Sequence, residues 1–437
     1  MKKLCVVSCP IDTQSGYGAR SRDFVRSLIS LKEDKWDIKI LGQRWGNTPW
    51  GALDQEKDQD LISRLIPQMH RKPDVWIQIT VPNEFQPIGN INIGVTAGIE
   101  TTLCPVEWIQ GCNKMDLIIT SSEHSKTVFK NINFAEANEQ GQPTGNNIKL
   151  EKPIEVLFEG FDPKKYGYID PLDITSSVNN IMSQVEENFA FLFVGHWLQG
   201  DMGEDRKNIS LTIKTFLEAF KNNPNPPALI LKTSLGNNSV MDYSEVKKRI
   251  YDIKKYVLSN TSRPPNVYLI HGELTDEEMN HLYNHPKVKA HINLTKGEGF
   301  GRPLLEASLS KKPIIASNWS GHLDFLRPKN TILVDGTLTK VHPSAIREEG
   351  IMQEAQWFSF YYDKAKSAMK DVFKNYKKYK KLSEPQSSFN SKEYTLDKMT
   401  EKLSTYIEQY IKLPDQVQLK IPDISKISLP FKPKIKQ

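Results

Sequence analysis

The chain has 437 residues, 38% of them hydrophobic and 25% charged, which describes a globular protein long enough for two sizeable cores. No apolar run reaches the ~20 residues that a bilayer-spanning helix needs, so a helical membrane-spanning class is excluded. The net charge of +6 permits an anionic partner without demanding one.

The first ten residues hold an apolar stretch too short for a secretory leader and broken by Pro10, so residues 4–8 are predicted as a buried strand. Ser15-Gly16-Tyr17-Gly18-Ala19-Arg20 follows, then an amphipathic helix through Leu31. Further strands are predicted at 37–41, 75–79, 92–96, 117–120 and 154–157. Residues 131–152, rich in Asn, Gln, Gly and Glu without a clear period, read as a surface insertion. A second series of strands runs through 189–194, 228–232, 267–270, 290–294 and 313–316. Helices are predicted between them at 210–221, 243–258 and 276–283, the last opened by Thr275 and an acidic first turn. This alternation argues for two doubly wound α/β layers, over residues 1–180 and 181–390. Residues 353–382 read as one long helix. Its apolar stripe is Tyr362, Ala365, Met369, Val372, Phe373 and Tyr376, with lysines on the other faces. A helix at 396–411 follows, and residues 413–437, with repeated Pro and Lys, read as an extended tail. Cys5, Cys9, Cys104 and Cys112 form no C-x-x-C pair with metal-ligand spacing, which predicts reduced structural thiols and a cytoplasmic compartment.

Residues 295–306, T-K-G-E-G-F-G-R-P-L-L-E, carry the most chemistry. Gly297, Gly299 and Gly301 allow unusual backbone angles and leave room for a ligand against the main chain. Pro303 suits the first turn of the helix that follows. A glycine turn between a strand's carboxyl end and a helix amino end is where open α/β sheets bind phosphorylated ligands. Glu298 and Glu306, eight apart, are harder to explain as packing, although acids near a helix amino end are mildly stabilising in any case.

The segment Gly297-Glu298-Gly299-Phe300-Gly301-Arg302-Pro303-Leu304-Leu305-Glu306-Ala307 resembles the E-x7-E signature of retaining glycosyltransferases, especially glycosyltransferase family 4 with its GT-B fold. Pro313-Ile314-Ile315-Ala316-Ser317, followed by Ser320-Gly321-His322, continues that pattern. The resemblance implies two facing Rossmann-like domains with a cleft between them. The first is the acceptor side, the second holds a nucleotide sugar, and a C-terminal helix within 391–412 crosses back to the first. It also implies retention of configuration, UDP as a likelier carrier than GDP, no side-chain nucleophile, no cofactor and no metal.

By the same resemblance the catalytic residues are Lys207, Arg206 and Glu298. Phe193-Val194-Gly195-His196, with Arg206-Lys207-Asn208, is similar to the strand and basic loop that stabilise the departing diphosphate. His196-Trp197 stands where relatives commonly place Arg. Glu306 would bind the ribose hydroxyls and Glu298 the donor sugar, with N–H groups from Phe300 and Gly301; Gly299, Arg302 and Leu304 complete that wall. Gly16-Tyr17-Gly18 resembles the glycine loop of the opposite wall. Acceptor-side candidates are Arg20, early enough in its helix to reach a phosphate, and Glu100, Thr101, Ser122 and Lys126 at strand ends. Taken alone, Arg206 and Lys207 fit an exposed charge pair, Leu304 fits plain core, and Arg22 and Arg26 fit a solvated helix face. Asp58-Gln59-Asp60 has a D-x-D form but no preceding apolar strand, so no metal site is assigned.

The opening residues 6–23 look like those of transferases encoded by tailed phages, a resemblance of origin more than of substrate; a second acceptor class, by likeness to bacteriophage GT-B enzymes, is duplex DNA with hydroxymethylated bases. The lysines of 364–381, interleaved with Tyr376 and Tyr379, and the basic tail would offer phosphate contacts, although a solvated helix face with a flexible tail is the slightly preferred reading of them. The competing classes are a transferase that builds a cell-envelope or other glycan, and a nucleotide-sugar-binding protein without turnover.

Overall fold

A computed structural model describes residues 2–46, 48–138, 140–236, 238–259, 264–347 and 350–412. The tail predicted at 413–437 lies outside the described residues. The first layer contains β1 (Lys3–Cys9), α1 (Gly16–Lys32), β2 (Trp36–Gly42), α2 (Gln59–Ile62), β3 (Val75–Ile79), β4 (Ile91–Val95), α3 (Val106–Asn113), β5 (Leu117–Thr120) and α4 (Glu123–Asn131). A hairpin, β6 (Asn133–Ala137) and β7 (Pro143–Lys149), precedes β8 (Ile154–Val156). β3 is buried at all five positions and β1 at its last five, the continuous burial of parallel strands covered on both faces. Six strands pair in parallel in the order β2-β1-β3-β4-β5-β8.

The second layer contains α5 (Ser176–Ser183), β9 (Ala190–Val194), α6 (Ile209–Phe220), β10 (Ala228–Lys232), α7 (Val240–Leu258), β11 (Val267–Ile270), α8 (Asp276–Asn284), β12 (Val288–Asn293), α9 (Arg302–Ser308), β13 (Ile314–Ser317) and β14 (Ile332–Val334). Its sheet is again parallel, in the order β11-β10-β9-β12-β13-β14. Strand order reverses between β1 and β3 in the first sheet and between β9 and β12 in the second. In open α/β sheets the crevice beyond the strand ends at such a reversal is the ligand site. The Gly16 loop follows β1, the Arg206-Lys207 loop follows β9 and the Glu298 loop follows β12. Topology alone therefore aims three of the predicted motifs at one place.

The long helix predicted over 353–382 is corrected. β15 (Gly336–Lys340) and β16 (Gln356–Phe360) form an antiparallel pair, with Trp357 fully buried. Trp, Phe and Phe in close succession favour a strand over a helix. α10 (Tyr362–Lys374) follows, and the backbone turns at Asn375 into α11 (Tyr376–Glu393), which continues through Pro385. α11 buries a polar stripe: Gln386 Nε2 donates to Phe325 O at 2.6 Å and Asn390 Nδ2 to Ser308 Oγ at 2.7 Å. The surface insertion is present and exposed, but it is the β6–β7 hairpin rather than irregular chain.

α12 (Leu396–Tyr410) leaves the second layer and places Met399, Leu403, Tyr406 and Ile407 in the core of the first. The chain thus passes between the layers twice, and the two passages touch: Phe161 N donates to Tyr394 O at 3.0 Å and Leu396 N to Phe161 O at 2.8 Å. All four cysteines are buried and unpaired.

Candidate functional site

Two loops of the second sheet are stitched together at its point of reversal. Asn208, in the left-handed region at φ 57°, turns the chain into α6 while its Nδ2 donates to Leu294 O at 3.0 Å. The Arg206 carbonyl accepts from Lys296 N at 2.8 Å and from Thr295 Oγ1 at 3.1 Å. This backbone lattice brings the two sequence motifs into side-chain contact. Lys207 Nζ lies 2.6 Å from each Glu298 carboxylate oxygen. Arg206 donates to Gly297 O at 2.8 Å, lies 3.7 Å from Glu298 Oε2 and reaches Glu100 Oε1 of the first layer at 3.4 Å. Burial pushes the Glu298 carboxyl up, but Lys207 and then Arg206 overcome it and hold the group below its usual range. Burial pulls the Lys207 ammonium down against the opposing charge of Glu298. The pair is ionised and almost dry.

The glycines of the motif serve a different purpose from the one predicted. A Cβ on Gly297 would stand 1.8 Å from Glu100 O, and one on Gly299 would stand 2.3 Å from Ala97 O. The space is filled by first-layer backbone, not left open for a ligand. Ser121 Oγ, also from the first layer, donates to Gly299 O at 3.1 Å. Gly301, at φ 96°, caps α9 and lies against His322, which is fully buried and donates from Nε2 to Ser317 O at 2.7 Å.

Beside this seam an interdomain cavity of about 670 Å³ is lined by Gly16, Ala19, Arg22, Asp23 and Arg26 from one side and by His196, Lys232, Ser234, Arg302 and Glu306 from the other. Glu306 accepts from Arg302 Nε at 3.0 Å and from the Tyr283 hydroxyl at 3.2 Å. Burial pushes its carboxyl up to about 7 although Arg302 opposes the shift. His196 Nδ1 lies 3.2 Å from Ser234 Oγ. Of the charged residues in the two motifs, Arg302 and Glu306 belong to the cavity lining, whereas Arg206, Lys207 and Glu298 do not.

The other predicted residues divide. Tyr17 stacks on Trp45 at 3.9 Å, and its hydroxyl bridges Thr96 Oγ1 and Ala97 N at 3.0 Å each, so it props the interdomain loop. Gly18 is required by the nearby Thr13 carbonyl. Arg20 is corrected: it points into the first layer, donating to Leu157 O at 3.1 Å and pairing with Glu159 at 3.5 Å. Arg22 and Arg26, read as solvated, line the cavity instead. Arg22 donates to Ile11 O at 2.9 Å and Thr13 O at 3.1 Å, while Asp58 and Asp60 clamp Arg26, giving the D-x-D residues a structural role. Ser122 is the buried N-cap of α4, Lys126 pairs with Glu155 at 3.0 Å, and Thr101 donates to Leu103 O at 2.7 Å. None of these three lines the cavity. Phe300 and Leu304 are core, with Phe300 packed on Phe325. Asp23, Lys232 and Tyr283 were not anticipated as site residues.

Tyr376 packs edge-on against Phe189, and the Tyr379 hydroxyl donates to Asp371. Among the described residues no His, Cys, Asp and Glu cluster could hold a metal, and no helix is long and apolar enough to cross a membrane.

No family model matches the chain, and no curated protein matches it in sequence. Solved structures do resemble it in fold. HepE of Anabaena, in complex with UDP and glucose, aligns at TM-score 0.59 and 12% identity, over 93% of this chain and 100% of that one. A glycosyltransferase from Rickettsia africae aligns at 0.61 and 13%, over 94% and 100%. Sucrose-phosphate synthase from Thermosynechococcus elongatus aligns at 0.59 and 11%, over 94% and 99%. At such identities the likeness establishes architecture. The chain has the GT-B fold, two facing Rossmann-like domains with a C-terminal helix returning to the first.

Proposed function

We propose that this chain is a retaining glycosyltransferase of the family 4 type, moving a sugar from a UDP-sugar to a hydroxyl acceptor. The observation that carries the reading is the pairing of Arg206 and Lys207 with Glu298 in the two loops at the reversal point of the second sheet, with Glu306 of the following helix lining a cavity shared with the first. Neighbours of the same fold are described in complex with UDP and with UDP-glucose, which supports this donor class. Lys207 and Arg206 supply positive charge where the diphosphate departs, and fixed charges in a dry site are worth far more than in water. Glu306, ionised, accepts both ribose hydroxyls. Glu298 holds Lys207 in place and offers a carboxylate to the donor sugar. Proton transfer from the acceptor to the leaving phosphate needs no further side chain.

Calorimetry with UDP, UDP-glucose and GDP tests the donor reading: heat from none of them overturns it. Turnover is then followed by release of nucleoside diphosphate, and the anomeric configuration of the product by NMR tests retention. An acceptor panel includes hydroxymethylated duplex DNA, because Lys370, Lys374, Lys377 and Lys378 present an exposed basic face. Transfer to DNA that weakens steeply with salt would place the acceptor there.

A further inference from the structure

A groove of about 810 Å³ runs between α7 and β11 and shares no lining residue with the interdomain cavity. β11 is the last strand of its sheet and is partly exposed at three of its four positions. Leu229 N donates to Asn266 O at 3.0 Å and Thr233 N to Ile270 O at 3.3 Å, so the main chain of alternate residues, 266, 268 and 270, is turned toward β10. The N–H and C=O groups of Val267 and Leu269 therefore face outward, and among the described residues no group bonds to them from that side. The outer edge of β2 is covered instead: Ile40 N donates to Arg64 O at 2.8 Å, and the Ile40 carbonyl accepts from Ile66 N at 2.9 Å. An open strand edge is a template for another backbone, and proteins ordinarily block it.

The wall beside that edge is one stripe of α7. Lys247, Tyr251, Lys254, Lys255 and Leu258 line the groove at helical spacing, on a single face. Lys247 Nζ lies 5.2 Å from the Tyr243 ring centroid, and Tyr251 is 63% exposed. None of the three lysines makes an ion pair among the described residues, because the neighbouring carboxylates are engaged elsewhere. Glu245 pairs with Arg249 at 3.0 Å and Asp252 with Lys248 at 3.1 Å. Glu187 accepts from Asn266 Nδ2 at 2.9 Å and from the Tyr268 hydroxyl at 3.1 Å. No carboxylate lines the groove, and residues 260–263, Asn-Thr-Ser-Arg, which lie outside the described residues, contain none.

We propose that this groove docks an extended acidic segment of a partner protein, which adds as a strand beside β11 and sets its carboxylates against Lys247, Lys254 and Lys255. The inference does not rest on the glycosyltransferase reading. Two independent observations select the occupant. Outward main-chain groups at strand spacing are matched by another extended backbone, whose side chains alternate between the α7 face and its opposite. Unpaired ammonium groups above one of those faces select acids there. A nucleic acid or a lipid headgroup would satisfy the lysines and leave the strand edge open. The chain's own residues 413–437 carry more lysine than aspartate and no glutamate, so like charge disfavours them as the occupant.

The test is fluorescence anisotropy on the full chain with a labelled peptide of alternating Glu and Val. That peptide binds, and a peptide of alternating Lys and Val does not. N-methylation of the Glu residues and N-methylation of the Val residues have unequal effects, because only one alternate set of amides points at β11: one pattern abolishes binding and the other is tolerated. Amide exchange at Val267 and Leu269 slows in the complex. Lys247→Glu and Lys255→Glu each weaken binding about tenfold or more. Both side chains are exposed and outside any ion pair among the described residues, so the far-UV spectrum of each variant stays unchanged. No binding of the Glu-Val peptide, equal effects of the two methylation patterns, or unchanged exchange at both residues overturns the proposal. Binding of oligodeoxythymidylate or of phosphatidylserine vesicles that Lys247→Glu abolishes, without binding of the peptide, overturns it and reassigns the lysines to a polyanion.

Discussion

Arg302 joins the two domains through Asp23: its Nη1 lies 2.6 Å from the Asp23 carboxylate on α1, while its Nε holds Glu306 at 3.0 Å on its own helix. One guanidinium thus couples closure of the cleft to the carboxylate facing the cavity. Asp23→Ala is expected to cost about 1–3 kcal/mol in chemical denaturation, the usual scale for a hydrogen bond to a charged group. It should also raise amide exchange in the first turn of α9. An unchanged exchange pattern would remove Asp23 from the closure mechanism.

Glu306 gives the protein a pH dependence of determinate sign. Its carboxyl is raised from 4.5 to about 7 in the fold, so the protonated form is favoured there. This group's contribution to stability is fully present below 4.5 and is lost as pH rises through about 7. Donor binding runs the opposite way, because only the carboxylate accepts both ribose hydroxyls. UDP affinity measured by calorimetry should rise across about one unit either side of that value and flatten in Glu306→Gln. A flat profile in the unmodified protein would count against the ribose contact. Glu306→Ala should weaken UDP binding by about 1–3 kcal/mol.

Lys207→Ala strands Glu298 with Arg206 at 3.7 Å as its remaining cation. Removing one member of a buried ion pair costs about 3–5 kcal/mol, and Arg206 should keep the loss near the lower end. Turnover is expected to fall about 100-fold or more, since the charge is needed as the diphosphate leaves. The double variant Lys207→Met, Glu298→Gln separates the two effects: denaturation should show stability largely restored while turnover stays low.

Gly299→Ala places a methyl group where the Ala97 carbonyl already lies, 2.3 Å away, and Gly297→Ala does the same against Glu100. Either change should force the layers apart without unfolding them. Small-angle scattering should report a larger radius of gyration with an unchanged far-UV spectrum, and transfer should be lost. An unaltered radius would mean that the seam yields locally.

Most strands were legible because parallel strands buried on both faces write continuous apolar runs: β3, β5 and β10 match their predicted bounds, as does the partly buried edge strand β11. The β16 strand was hidden because its aromatic residues run straight into the apolar stripe of α10, and a stripe counted at helical spacing absorbs a short strand. The buried face of α11 is Ser383, Gln386, Ser387 and Asn390, which no hydrophobic pattern reveals.

In the site, proximity to the glycine loop favoured Arg20. Residues two apart on a helix differ by about 200°, so Arg20 and Arg22 face opposite ways. Ala19, Arg22, Asp23 and Arg26 line the cavity at i, i+3, i+4 and i+7, a pattern that was present in the sequence and went unused. Glu100 stood out as a polar residue at a strand end, but the pairing of Asp23 with Arg302 depends on how the two layers meet, which no local spacing encodes.

Because Met399, Leu403, Tyr406 and Ile407 belong to the first layer's interior, synthesis and folding run in different orders. As the chain leaves the ribosome, its amino-terminal half must wait, with an open groove along α1, until the residues through Ile407 have been made. The carboxyl-terminal half can close first. Nascent molecules halted just before Leu396 would therefore display a finished second layer joined to an incomplete first one.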